Sequence, residues 1–528
     1  MDYQEKFDLW KKWIPEVSDT LDAMTEEEKK FAFGSNLVFG TGGLRGIMQV
    51  GTNAMNYYTV KKATMGLAEV ISNYDDDAKK RGVAISYDTR QNSQEFAEIV
   101  AETLSNYGIN IYMSDTYRPT PVLSYAVREL GCIAGVMITA SHNPKEYNGY
   151  KCYWEDGGQL PPKVSADLIA VIDKQDEFKE LLINKDLINY FGEEIDEKYK
   201  KEILKQGLNI SGDIKICYTP LYGCGAEYVP EILERVGFDN VVLVDEQMRA
   251  DGTFPNAPYP NPESDAAWES AIDIAGDEGC EIVIATDPDA DRVGVMAWDG
   301  KKYVRFSGNH IAIMLLEFLL HHAHLPEPPA VITTIVSTRM AEKICKENNI
   351  AYFDVYTGFK FIAEKILEFE KDNSYKFLFG FEESIGYLKG DYCRDKDSII
   401  GSLLICQMAQ KLKDEGITMF DYLENIEEKY GKLYEETINV VKSGFNASAE
   451  MQEIMSSLRE GEKKEFAELK MKIVKDYLKE EYPSDMLVWE FESGSRLCIR
   501  PSGTEPKIKY YISAVSEEEL SKIKEAIN

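Results

Sequence analysis

Cysteine pairs at metal-binding or redox spacing are missing from this chain. Its nine cysteines stand singly, none in a CxxC pair, and an odd number suits a reducing compartment. Histidine is scarce as well. Of five, three (His321, His322 and His324) crowd one helix end, which leaves little material for a Ser-His-Asp hydrolase. Positive charge is in short supply: 59 Lys and Arg against 91 Asp and Glu give a net charge of −32. That balance argues against nucleic acid or an anionic membrane as partner. It leaves room for an anionic small molecule, which responds to the local field of a cleft, so basic residues inside motifs carry extra weight. The opening "MDYQEKFDLWKKW" has no apolar signal-peptide core. No apolar run approaches the roughly 20 residues of a spanning helix. The longest candidate, "IAIMLLEFLL" at 311–320, contains Glu317 and reads as a buried helix. Low-complexity tracts are absent too, and the expectation is a folded cytoplasmic protein.

What is present is a repeated arrangement. A chain of 528 residues predicts roughly three to five domains. After a capping-box signal, "TEEE" at Thr25 to Glu28, one pattern of three β-rich runs separated by helical stretches occurs three times. The first copy has "GVAISYD" (82–88), "INIYMSD" (109–115) and "CIAGVMITASHNP" (132–144). The second has "IKICYTP" (214–220), "NVVLVDE" (240–246) and "EIVIATDPDADR" (281–292). The third has "AVITTIVST" (330–338), "IAYFDVYTG" (350–358) and "KFLFGFEES" (376–384). Short strands alternating with helices predict an α/β fold: three similar α/β domains with mixed, largely parallel sheets, plus a smaller C-terminal α+β domain. The boundaries are read as 1–205, 206–323, 324–437 and 438–528, the prolines of "HLPEPPA" marking one linker. Ligands of such sheets bind in loops beyond the strand C-termini, where the unusual polar motifs fall.

"TASHNPKEYNGYK" (139–151) places Ser141 beside His142. A turn residue, a nucleophile and a phosphoryl carrier are all open from the stretch itself. Adjacent side chains on an extended loop diverge, and no G-x-S-x-G elbow surrounds the serine, so a nucleophile–base pair is disfavoured. In "TDPDADR" Asp287, Asp289 and Asp291 alternate after a strand and can converge on one hard cation. An EF-hand starting at Asp287 fails, since Arg292 and Trp298 stand where Gly and Glu are required. Three carboxylates leave space for an anionic oxygen on Mg²⁺, and Arg292 suits a phosphoryl group. "GFEESIG" offers Glu382 and Ser384 to vicinal sugar hydroxyls. "RPSGTEPK" joins Arg500, Ser502, Gly503, Thr504 and Lys507 in a loop whose backbone N–H groups form an anion nest. "YTGFK" (Thr357, Gly358, Lys360) and "CRDKDS" (Lys396) each add a lysine in a polar loop. "FGTGGLRG" (39–46) lacks the P-loop Lys-Ser/Thr, and Arg45 takes the place of the last glycine of GxGxxG, so no nucleotide is implied.

In this combination and order, "TASHNP", "DPDADR", "GFEES" and "RPSGTEP" resemble the α-D-phosphohexomutase superfamily, and "FGTGGLRG" and "YTGFK" look like its phosphoglucomutase/phosphopentomutase branch. The resemblance implies that Ser141 carries a phosphoryl group, with Asp287, Asp289, Asp291 and a Ser141 phosphate oxygen holding Mg²⁺. It implies sugar hydroxyls on Glu382 and Ser384, and the non-transferring phosphate on Arg500, Ser502, Gly503, Thr504 and Lys507. Thr357 and Gly358 would line the opposite side, and Arg45, His142 and Lys151 would sit near the phosphoserine. For acid/base work Lys396, which matches a lysine of phosphoglucomutases, and Lys151 are the candidates. Some relatives carry a histidine just after the sugar loop, where this chain reads "ESIGY". The implied reaction is a Mg²⁺-dependent interconversion of glucose 1-phosphate and glucose 6-phosphate through glucose 1,6-bisphosphate. Phosphopentomutase or phosphomannomutase activity, a metal-dependent phosphatase and a non-catalytic sugar-phosphate sensor are the rival readings.

Overall fold

A computed structural model describes residues 1–40, 42–442, 447–460, 464–480, 483–501 and 507–527. Among these residues the nine apolar runs form three sheets with one shared plan. The first sheet sets strands Ile111–Ser114, Val83–Tyr87, Ala134–Ile138 and Tyr147–Trp154 side by side. The second does the same with Val241–Leu243, Ile216–Thr219, Ile282–Thr286 and Val293–Trp298. The third uses Ala351–Val355, Pro329–Thr334, Lys376–Glu382 and Gly386–Lys389. In each, the first strand in sequence lies between the second and third, parallel to both (Val83 opposite Ile111 and Ala134, Ile216 opposite Val241 and Ile282). The fourth returns antiparallel beside the third. Strands such as Val83–Tyr87, Ala134–Ile138 and Ile282–Thr286 are buried at every residue, as sheets covered on both faces require.

The plan fixes where the polar motifs go. Residues 139–146, 287–292 and 383–385 are the three connections between a third strand and its antiparallel return. Each contains one non-glycine residue in the left-handed region: Ser141, Ala290 and Ile385, all at φ 52°. The serine, aspartate and sugar motifs are thus one structural position, repeated three times.

The first sheet adds Gly43–Ile47 at one edge, beside Tyr147–Trp154, and Ile188–Phe191 at the other. Thr25 and Glu28 form the expected capping box. The 311–320 run lies in the buried helix Gly308–His322, where Glu317 is satisfied by Lys429 Nζ (2.7 Å) and the Tyr430 hydroxyl (2.9 Å). Helix Ser398–Asp414, with Ile399, Leu403 and Met408 fully buried, packs into the core shared by the second and third sheets. The last part of the chain forms an antiparallel sheet in the order Tyr434–Val441, Lys507–Ala514, Arg496–Pro501, Leu487–Phe491, Leu469–Asp476 and Glu465–Phe466. Helix residues Met451, Met455 and Ile523 pack into its core. Strand Tyr434–Val441 straddles position 437/438 and pairs wholly within this sheet. All nine cysteines are buried and unpaired by disulfides. No described helix is long and apolar enough to cross a membrane.

Candidate active site

Ser141 is 2% exposed, and its hydroxyl donates to Asp287 Oδ2 at 2.6 Å, across 146 positions of sequence. Arg292 Nη1 lies 3.5 Å from Ser141 Oγ. His142 Nδ1 is 3.2 Å away, contrary to the expectation that neighbouring side chains diverge. The reason is local: a positive φ at Ser141 folds the chain so that consecutive side chains share one side. Burial, then Arg292, Arg45 and Arg90, push the His142 imidazole well below its ordinary range, so the ring is neutral and can accept. Arg292 Nη1 contacts its Nδ1. Arg45, on strand Gly43–Ile47, donates to Asn143 Oδ1 at 2.9 Å and so joins the serine loop.

The carboxylate oxygens of Asp287, Asp289 and Asp291 lie within 4.8 Å of one another, and all three residues are buried. The turn is shaped by its own backbone, with the N–H groups of Asp291 and Arg292 donating to Asp287 Oδ1 at 3.2 and 3.0 Å. Asp289 Oδ2 accepts from Lys151 Nζ (2.7 Å) and the Thr120 hydroxyl (2.8 Å). Asp291 Oδ2 faces Lys151 and Lys396, both at 3.3 Å. The other oxygens, Asp289 Oδ1 and Asp291 Oδ1, are buried with no hydrogen-bond partner among the described residues. Buried carboxylate oxygens without donors are costly unless a cation meets them. An all-oxygen donor set of this charge fits a hard divalent ion such as Mg²⁺. Burial, then the Asp289 and Asp291 charges, push Asp287 well above the usual carboxylate range. Burial pushes Asp291 up too, but Lys396, Lys151 and Arg292 outweigh it and hold that carboxyl below its ordinary value. Lys396 also pairs with Asp395 at 2.9 Å and lies 3.9 Å from Glu382. Burial lowers its pKa, but these three carboxylates win and keep it protonated.

Beside the serine loop opens a cleft of about 660 Å³, walled by the second, third and fourth sheets. His142, Ser384, Lys507, Lys509, Arg339 and Arg496 face it. So does Glu383, the neighbour of Glu382. Side chains alternate at a strand end, and Glu382, the last residue of its strand, turns towards Lys396 while Glu383 enters the cleft. Burial, then the Glu382 charge, raise the Glu383 carboxyl to about 7. Arg500 lies near the end of strand Arg496–Pro501, opposite Lys509. Ser502, Gly503 and Thr504 lie outside the described residues. Gly358, at φ 122°, and Thr357 lead into helix Phe359–Asp372, whose Phe359 ring lies 5.5 Å from Lys396 Nζ. Lys360 lines a separate cavity of about 600 Å³ with Asp156, Gln159 and Tyr477. The structure therefore joins Ser141, His142, Arg45, Lys151, Arg292, Lys396 and the aspartates in one cluster, with Lys360 on a cavity that shares Ile335 with the cleft. Glu383 and Lys509 were missed by sequence reasoning, although both lie within three residues of motif positions.

Four consecutive segments match the phosphoglucomutase/phosphomannomutase family: alpha/beta/alpha domain I at 36–179, domain II at 196–300, domain III at 307–430 and the C-terminal domain at 453–528. A phosphoglucomutase of Staphylococcus haemolyticus is 35% identical over 531 residues, covering 96% of both chains. In fold, the chain is similar to a phosphoglucomutase/phosphomannomutase family protein from Burkholderia thailandensis, with TM-score 0.71, 18% identity and 93% and 96% of the two chains covered. An Aspergillus fumigatus N-acetylphosphoglucosamine mutase, solved with GlcNAc-6P and magnesium, matches with TM-score 0.52 and 14% identity over 97% of each chain. The chain belongs to the phosphoglucomutase/phosphomannomutase family of α-D-phosphohexomutases, which are isomerase-type phosphotransferases.

Proposed function

We propose that this enzyme is a Mg²⁺-dependent phosphoglucomutase, with Ser141 as phosphoryl carrier and glucose 1-phosphate and glucose 6-phosphate as its substrates. The observation that carries the reading is the 2.6 Å contact between Ser141 Oγ and Asp287, at a triad with two unpartnered oxygens. The phosphoglucomutase of Staphylococcus haemolyticus supports the choice of sugar, and the magnesium held by the Aspergillus protein supports the choice of metal. Asp287, Asp289 and Asp291 would hold the ion with a Ser141 phosphate oxygen. When bound, it supplies charge neutralisation at the transferring phosphoryl group.

In the forward half the phosphorus–oxygen bond to Ser141 breaks as one forms to the free sugar hydroxyl, giving glucose 1,6-bisphosphate. After reorientation the other phosphoryl group returns to Ser141. Arg292 and Arg45 stabilise charge near the phosphoserine, and neutral His142 accepts from Arg292 at Nδ1, keeping that guanidinium beside Ser141 Oγ. Lys151 and Lys396 contribute fixed positive charge beside the triad and are the acid/base candidates for carrying the proton that leaves the sugar hydroxyl and ends on Ser141 Oγ. Ser384, on the cleft wall with Glu383, binds one sugar hydroxyl, and Glu382 binds another from the side of Lys396 and the triad. Arg500, Lys507 and the 502–504 loop anchor the phosphate that stays, and Thr357 and Gly358 line the far side. Lys360, in the adjoining cavity, adds positive charge on that side. Water must be kept from the phosphoserine, or it is lost as free phosphate.

Coupled assays with the 1-phosphates of glucose, mannose, glucosamine and ribose, run with and without chelator, test this. Turnover fastest on glucose 1-phosphate, lost in EDTA and restored by Mg²⁺, is the expected result. A ribose or mannose optimum would replace the substrate, and phosphate release exceeding isomerisation would replace the reaction.

A further inference from the structure

Arg90 has no place in the chemistry above, yet its side chain is completely buried against the serine loop. A guanidinium offers five N–H donors in a rigid fork. Four backbone carbonyls of one short segment converge on this one. Nη1 donates to the carbonyls of Pro144 (2.9 Å) and Tyr147 (3.2 Å), and Nη2 donates to those of Ser141 and Asn143. Asp88 balances the buried charge, with Oδ2 at 3.3 Å from Nε. The same carboxylate accepts from the Arg90 N–H (3.0 Å), the Ser93 hydroxyl (2.7 Å) and the Thr139 hydroxyl (2.6 Å). Thr139 Oγ1 in turn accepts the Ser141 N–H at 2.8 Å. Both backbone groups of Ser141 are therefore fixed from one ion pair, the carbonyl directly and the N–H through Thr139. The second sheet's side seals the arrangement. Phe254 lies 5.0 Å from the guanidinium carbon, and Gly252 sits so close to Thr89–Gln91 that a Cβ would come within 2.4 Å of Gln91 N.

A serine held at φ 52° carries backbone strain, which persists only where its surroundings over-determine it. Released into the β region, Ser141 would swing Oγ away from Asp287. We infer that Asp88, Arg90 and Thr139 are positioning residues that hold Ser141 left-handed and so aim its hydroxyl at the carboxylate triad. The inference rests on Ser141 as the phosphoryl carrier. Lysine cannot replace Arg90 here, because a single ammonium does not span four separated carbonyls.

The test uses the full-length enzyme with Mg²⁺ and the variants Arg90→Lys, Thr139→Val and Thr139→Ser. For each, kcat and KM for glucose 1-phosphate are measured, with phosphoryl occupancy read by intact mass after incubation with glucose 1,6-bisphosphate. Arg90→Lys is expected to lower kcat about a hundredfold with KM within about threefold, the scale of an ångström-sized misplacement of a reacting group. Thr139→Val, nearly isosteric, lowers kcat in the same direction, and Thr139→Ser, which keeps the hydroxyl, restores what valine loses. If Arg90→Lys does not fold, the Thr139 pair decides. Valine turning over at the wild-type rate, or serine losing as much as valine, overturns the positioning role. An active wild type that takes up no phosphoryl group instead overturns the phosphoserine reading itself.

Discussion

At Asp289 and Asp291 one carboxylate oxygen is paired with lysine and the other, equally buried, faces no donor among the described residues. An ion that binds only the folded state stabilises it by mass action, about 2.7 kcal/mol at a hundred times its dissociation constant. Millimolar MgCl₂ should therefore raise the melting temperature of the wild type in differential scanning calorimetry. Asp289→Asn, which keeps an acceptor for Lys151 but removes one charge, should show a smaller shift and at least about a hundredfold lower kcat, the scale of losing one preorganised electrostatic contact. An unchanged shift would place the ion elsewhere. The aspartate loop was readable residue by residue because alternating carboxylates after an apolar strand have few uses. Glu382 and Glu383 were not, because which of two adjacent carboxylates enters a cleft depends on where the strand ends, a one-residue matter that composition does not record.

Between residue and molecule stands the loop pair. In each repeat the end of the first strand, or the loop after it, touches the motif loop after the third. In the first copy Arg90 grips the serine loop. In the second, the Cys224 N–H donates to the Pro288 carbonyl at 2.8 Å, and Gly223 leaves no room between itself and Pro288, where a Cβ would meet Cα at 2.4 Å. In the third, Thr334 Oγ1 reaches Glu383 Oε2 at 3.4 Å. Gly223→Ala should therefore push the aspartate loop rather than merely loosen the fold. Overpacking against backbone costs about 1–3 kcal/mol. Mg²⁺ titration of the variant by calorimetry should show weaker binding, and wild-type affinity would show that the turn absorbs the methyl group elsewhere. The three parallel strands of each repeat were visible as apolar runs, while the antiparallel return that follows each motif was not. Their pairing order was not legible, since an apolar run records burial and not which strand lies beside it. The supporting loops went unseen, because "DTRQNS" and "TPLYGCG" read as ordinary turns until the sheets bring them beside the motifs.

On the scale of the whole molecule, the cleft needs the fourth sheet in contact with the third, and one half-buried carboxyl sits at that joint. Glu435, on strand Tyr434–Val441, accepts from Asn309 Nδ2 and the Ser513 hydroxyl, both at 3.0 Å. Burial raises its carboxyl to about 7, although Ser513, Thr338 and Asn309 as donors and the Lys343 charge pull the other way. The folded protein thus holds this proton more tightly than the unfolded chain. The resulting stability is complete below the ordinary carboxylate range and is lost as pH rises through about 7. Wild type should lose more melting temperature between pH 6 and pH 8.5 than Glu435→Gln, which stays neutral throughout. Parallel losses in the two proteins would remove Glu435 from the joint's pH response. The fourth domain's existence was legible from its two alternating runs, but a strand shared across position 437/438 was not, since no turn signal marks where it begins.

Everything proposed for catalysis depends on a phosphoryl group at residue 141. Intact mass spectrometry of the wild type after brief incubation with glucose 1,6-bisphosphate and Mg²⁺, beside Ser141→Ala treated identically, tests this most directly. One added phosphoryl group on the wild type, none on the alanine variant and no isomerase activity in the latter are the predicted result. An alanine variant that still interconverts the two glucose phosphates, or a phosphoryl group mapped to another residue, would contradict it.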